Sequence, residues 1–244
     1  MTTRYDSLLM KTAIVTGASR GIGRAIAERL MRDGFRVIAT GRDEELLASL
    51  QTPSIALDLR DPSAPSALVD FALKETGRID VVINNAGATK RGPFLELTDA
   101  DWLDGYALKL FGAARIARAA WPHLKAAGGS IVNIAGVGGR TPGAEFSIGG
   151  SVNAALLSFT KSLAETGVTD GVQVNAINPG AIRTDRLRKR LASADEAAFV
   201  KSQAITRIGE PEEVAALVAF LVSPEGRYLH GSLIDIDGGA TKTI

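Results

Sequence analysis

The run Thr16-Gly17-Ala18-Ser19-Arg20-Gly21-Ile22-Gly23 follows the apolar residues 12–15 and opens an amphipathic segment that starts at Ile22. Glycines so spaced at a strand-to-helix turn make a phosphate cradle. Gly17 lets the chain leave the strand sharply, Gly21 lets backbone approach a pyrophosphate, and Gly23 lets helix and strand pack closely. The amides and the helix dipole then face the anion. The same spacing occurs in ordinary turns. Here it precedes a chain that repeats the strand–helix alternation, so Gly17, Ser19, Arg20, Gly21, Ile22 and Gly23 are expected to hold a dinucleotide.

At 244 residues and 45% hydrophobic composition, the chain can bury one substantial core. Without a Pro/Gly/Ser linker it is expected to form one domain, 1–244. Net charge is +1, with both signs interspersed. Neither nucleic acid nor an anionic membrane is an expected partner. No apolar run reaches the ~18 residues of a bilayer span, and residues 1–11 lack the apolar core of a secretory signal, so a cytoplasmic location is expected. There is no cysteine, and the only histidines are His123 and His230. Disulfides are excluded and no metal site is expected.

Short β-branched runs at residues 12–16, 36–40, 54–58, 80–84, 130–135, 172–178 and 232–236 alternate with helical patterns. The expected fold class is α/β: a single-domain Rossmann-type doubly wound fold with a seven-stranded parallel sheet flanked by helices on both faces. Near-continuous apolar runs such as Ile131-Val132-Asn133-Ile134-Ala135 suit strands covered on both sides. Right-handed crossovers place the ligand crevice at their carboxyl ends. Pro65 and Pro211 fit first-turn helix positions.

Three further motifs stand in order: Asn84-Asn85-Ala86-Gly87, Asn178-Pro179-Gly180-Ala181-Ile182-Arg183-Thr184, and Ile234-Asp235-Ile236-Asp237-Gly238-Gly239. With the glycine turn they make the whole chain resemble a short-chain dehydrogenase/reductase. The resemblance implies that Asp58 and Leu59 contact adenine, and that Asn85, Ala86 and Gly87 line the cofactor. It also implies that Pro179, Gly180, Ile182 and Thr184 hold the nicotinamide side. A small carbonyl or alcohol substrate and a homodimer or homotetramer are implied as well, the dimer through helices near residues 103–126 and 151–164. The second strand runs into Gly41 and Arg42 rather than an acidic residue, so NADP is expected over NAD. Arg42, helped by Arg20, would hold the 2′-phosphate. The competing reading makes both arginines solvated, with Arg42 paired to Asp43 or Glu45.

The resemblance breaks in the chemistry. The family's Asn-Ser-Tyr-Lys set falls at Lys109, Gly136, Gly149 and Asn153, and no tyrosine lies between Tyr106 and Tyr228. Asn153 keeps its place as a cofactor-binding position. Gly149 and Gly150 predict a late-starting helix capped by Ser151, with an enlarged pocket at the tyrosine position. Lys109 is a candidate proton donor or replacement charge, or else a surface lysine on a helix that packs through Leu103, Leu108, Leu110 and Phe111. Ser147 is the other candidate catalytic residue, and Arg140, Glu145 and Ser151 surround the same loop. His123, His230, Trp102 and Trp121 read as structural. The cluster Arg186, Arg188, Lys189 and Arg190 reads as a solvated helix face or as a contact for an acidic substrate. Three functions stay open: an NADP(H)-dependent oxidoreductase with an atypical site, an inactive NADP-binding pseudoenzyme, and a non-redox lyase or isomerase.

Overall fold

Alternation along each strand assigns its residues to two layers. In β1 (Thr12–Thr16) Ala13 and Val15 face one core and Ile14 the other. The same split occurs in β2 (Arg36–Gly41), with Val37 and Ala39 opposite Ile38, and in β4 (Val81–Asn84), with Val81 and Ile83 opposite Val82. A strand apolar on both faces needs helices on both faces.

The computed structural model describes residues 10–192 and 194–242. The expectation placed on residues 1–11 therefore falls, for 1–9, outside the described residues. The remaining strands are β3 (Ser54–Ala56), β5 (Ser130–Ile134), β6 (Gln173–Pro179) and β7 (Leu233–Ile236). All pair in parallel in one seven-stranded sheet of order β3-β2-β1-β4-β5-β6-β7. The order reverses between β1 and β4, which is where a doubly wound sheet opens its crevice. Helices α1 (Gly21–Arg32), α2 (Glu44–Ala48) and α9 (Pro211–Val222) cover one face through Ile26, Leu30, Leu47, Val214 and Val218. Helices α3 (Ala64–Thr76), α5 (Gly112–Ala127) and α6 (Ser147–Asp170) cover the other through Leu68, Ile116, Leu124 and Ala164. Helix α4 (Asp99–Tyr106) runs into α5 through a π turn, Ala107–Phe111. Helices α7 (Asp185–Leu191) and α8 (Glu196–Ser202) follow β6. Among the described residues no helix is long and apolar enough to cross a membrane.

Two expectations about helices are corrected. Helix α6 does not start at Ser151. It starts at Ser147, after a 3-10 turn at Ala144–Phe146, and the Ser151 hydroxyl donates inside the helix to the Ile148 carbonyl (2.9 Å). Close packing on Gly149 and Gly150 outweighs their poor helix propensity: a Cβ at Gly150 would lie 2.8 Å from Pro142. The helix through residues 103–111 also does not pack through all four expected positions. Leu108 is buried, while Leu103 and Phe111 are 69% and 45% exposed. The wider π turn rotates the faces beyond Ala107 and turns Phe111 outward.

The switch point is fastened by one hydroxyl. Thr16 Oγ1 accepts from the backbone N–H groups of Asn85 and Ala86 (2.9 Å each) and donates to the Ile83 carbonyl (3.2 Å). The Asn85 amide donates back to the Thr16 carbonyl (2.9 Å). Thr16→Val keeps the shape and orphans two N–H donors. It should lower unfolding free energy by about 2–4 kcal/mol in urea titration, whereas a change within measurement error would show the node to be dispensable.

Candidate functional site

The glycine turn adopts the geometry its sequence requires. Gly17 and Gly21 have φ of +65° and +56°, and a Cβ on Gly23 would run into the Gly17 carbonyl. A side chain at Gly21 would touch Thr184 (3.2 Å), so the turn, Asn85 and the loop after β6 converge. The first turn of α1 has no side-chain cap and no acidic residue, whereas α2 is capped by Asp43 and α4 by a Thr98–Asp101 capping box. Helix α1 thus presents free N–H groups and an uncompensated positive dipole end, which fits a phosphate. Ser19 is buried, Ile22 packs on the core, and Arg20 points outward to Asp43 (2.7 Å).

The other expected cofactor positions lie along the same crevice. Arg42 is exposed at the tip of β2, with Asp58 3.9 Å away, and the pairings with Asp43 or Glu45 do not form. Asp58 also meets Arg60 (3.2 Å), and Leu59 is buried against Gly112. Pro179 ends β6, a Cβ at Gly180 would lie 2.7 Å from Asp237, and Ile182 is buried before Thr184, which caps α7.

Lys109 points inward from the π turn. Its Nζ donates to the Ala135 carbonyl and to Asn153 Oδ1, both at 2.6 Å. Glycines make the room: a Cβ at Gly87 would lie 3.0 Å from the lysine stem, and one at Gly136 would lie 2.9 Å from the Asn153 amide. Enclosure of the ammonium, helped by the nearby Arg186 charge, lowers the Lys109 pKa to about 7. Arg186 reaches the same place by donating to the Gly87 carbonyl (2.9 Å).

The enlarged pocket expected over Gly149 is corrected: the Phe146 ring lies there, and a Cβ at Gly149 would fall within it. The ring is covered in turn by the Arg91 guanidinium, 3.8 Å from its centroid. A cleft of about 430 Å³ lies beside it instead, lined by Gly138, Gly143, Ser147, Gly150 and Ala154 among others. The Ser147 hydroxyl donates only to the Ala144 carbonyl (3.4 Å), so the two expected catalytic residues, Lys109 and Ser147, are not brought together. His230 is structural: Nε2 bonds the Ala164 carbonyl (2.7 Å) and Nδ1 accepts from the Val174 N–H (3.3 Å). The Trp121 indole donates to Asp170 (2.7 Å).

Residues 17–241 match the family model described as Enoyl-(Acyl carrier protein) reductase. The 3-oxoacyl-(acyl-carrier-protein) reductase FabG of Vibrio harveyi is 35% identical over 236 residues, covering 94% of this chain and 96% of that protein. The chain belongs to the short-chain dehydrogenase/reductase family. Among solved structures of this family, a short-chain dehydrogenase from Burkholderia cenocepacia in complex with NADP is 36% identical. It superposes with a TM-score of 0.86 over 96% of this chain and 98% of its own. An NADPH-bound short-chain oxidoreductase from Pseudomonas aeruginosa, described as containing an atypical catalytic center, is 28% identical. Its TM-score is 0.91, over 96% of this chain and 98% of its own.

Sequence reasoning about this short-chain dehydrogenase/reductase missed Phe146 and Arg91. An aromatic three residues before a helical glycine was the available signal, since positions i and i+3 share a helix face. Gly149→Ala discriminates between propensity and packing. Propensity alone predicts a gain of about 1 kcal/mol, whereas displacement of the Phe146 ring predicts a loss of about 1–3 kcal/mol. Thermal or urea unfolding of the variant should show the loss.

Proposed function

We propose that the chain is a single-domain NADP(H)-dependent oxidoreductase of a small carbonyl or alcohol compound, with Lys109 in the role that the family gives to a tyrosine–lysine pair. The observation that carries this reading is the enclosed Lys109 ammonium, bonded to Asn153 beside the Asn85–Gly87 turn. At the family's four catalytic positions stand Lys109, Gly136, Gly149 and Asn153. Positive charge absent from residue 153 is present at residue 109, one hydrogen bond away.

The uncapped α1 terminus would hold the pyrophosphate, with Gly17, Ser19, Arg20, Gly21, Ile22 and Gly23 as the cradle. Arg42 and Arg20 would hold the 2′-phosphate, Asp58 and Leu59 the adenine, and Asn85, Ala86, Gly87, Asn153, Pro179, Gly180, Ile182 and Thr184 the rest. The NADP(H)-bound relatives from Burkholderia cenocepacia and Pseudomonas aeruginosa support this choice of dinucleotide. Bound there, NADPH supplies a hydride. An ammonium has three N–H donors. Ala135 and Asn153 take two and fix the group, and the third is left for the oxygen of a substrate carbonyl. Lys109 thus holds and delivers the proton from Nζ. A homodimer or homotetramer is part of the proposal. The exposure of Leu103 and Phe111, on the segment expected to meet a second copy, supports it.

A cofactor-binding protein without turnover is the second reading. The Phe146 ring, which fills the space over Gly149, is the observation that favours it. Two measurements test the first. Carbonyl reduction should fall by about tenfold per pH unit above about 7, because the ammonium form is the donor. Lys109→Met should lower it by about 10²–10⁴ while NADPH fluorescence titration still shows binding. Full activity in the variant contradicts the role. Arg42→Ala should weaken NADPH binding by about tenfold or more and leave NADH binding unchanged, since only NADPH carries the 2′-phosphate. Equal losses for both would place Arg42 elsewhere.

A further inference from the structure

Most arginines at the carboxyl edge of the sheet are answered by a carboxylate. Arg20 meets Asp43, Arg60 meets Asp58 and Asp104, Arg183 meets Glu196 and Glu210, and Arg188 meets Asp185. Three arginines on the loop after β4 and on helix α7 are not. Among the described residues Arg91, Arg186 and Arg190 have no ion pair. Arg91 stacks on Phe146 (3.8 Å), Arg186 donates to the Gly87 carbonyl (2.9 Å), and Arg190 lies over Phe199 (5.2 Å). They come from separate elements, the loop after β4 and helix α7; burial lowers the Arg91 pKa, and the like charges of Arg190 and Arg186 lower it further. The one carboxylate acting on Arg91 is Glu145, which does so from outside ion-pair distance. Its backbone holds the loop in place, since the Gly92 N–H donates to the Glu145 carbonyl (3.1 Å).

Aromatic faces and a backbone carbonyl keep these guanidiniums ordered without neutralising them. Each retains N–H donors for a further partner. Arg186 and Lys109 meet across Gly87, and Arg91 meets Gly149 across Phe146. We propose that Arg91 and Arg186, with Arg190 behind them, bind an anionic oxygen group of the substrate, so that the carbonyl delivered to Lys109 belongs to an acid or a phosphate ester. This rests on the reading of Lys109 as the proton-delivering centre. The charge excess is relieved when such a group arrives, and planar guanidinium forks match a carboxylate or phosphate.

Calorimetric titration with charged and neutral twins of one ketone tests it, on the NADP⁺-loaded protein and on the free protein. The pairs are 4-oxopentanoate against its methyl ester and hydroxyacetone phosphate against hydroxyacetone. At least one anion should bind about tenfold or more tightly than its neutral twin, and the pair with the larger ratio identifies carboxylate or phosphate. Arg91→Gln and Arg186→Gln should each erase most of that ratio while leaving the neutral twin unaffected. Arg91→Gln should also retain NADPH affinity, which shows that the variant is folded. Equal binding of the twins, no binding of either anion, or a ratio untouched by both substitutions overturns the inference. If NADPH itself does not bind, the proposed function falls, and the titration of the free protein still decides the anion site.

Discussion

Lys109 is held between the Ala135 carbonyl at the end of β5 and the Asn153 amide oxygen on α6. The surrounding structure is arranged around that pair of bonds. The π turn between α4 and α5 aims the side chain inward, Gly87 leaves room for its stem, and Gly136 leaves room for the asparagine. A lysine so enclosed gives up water on most sides, and an ammonium resists that unless its protons find acceptors. Two oxygens at 2.6 Å meet this need only in part, and the pKa falls to about 7.

Electrostatics divide the crevice into two halves. At the β1–α1 end a helix start without cap or acid joins Arg20 and Arg42 at the rim, an arrangement suited to phosphates. At the β5–α6 end Arg186 meets Lys109 across Gly87, and Arg91 stacks on Phe146. Arg20, Arg60, Arg183 and Arg188 at the same edge of the sheet sit in ion pairs; among the described residues Arg91 and Arg186 are braced by an aromatic ring or a carbonyl and have no ion pair. Like charges concentrated in this way cost stability, a common feature of sites that bind oppositely charged groups.

The seven strands, their parallel order and the glycine turn were legible in the sequence because they rest on local pattern: two-residue alternation, helix starts and glycine spacing. Lys109 stood out in the sequence as the single gained charge among the positions that the family resemblance matches to catalytic residues. Its partners were not, because residues 109, 135 and 153 are joined only by tertiary packing. The late start expected for α6 failed for a related reason. Propensity read Gly149 and Gly150 as a break, while the fold uses them to bring Phe146 and Pro142 against the helix. Phe111 misled in the opposite direction, since a regular helical period does not anticipate a π turn.

The most direct measurement is a pH titration followed by NMR of protein carrying ¹³Cε-labelled lysine. One lysine signal should titrate near pH 7 and disappear in Lys109→Met. If every lysine instead titrates near the ordinary value of about 10.4, Lys109 is not enclosed as described, and the site has no group poised to deliver a proton at neutral pH.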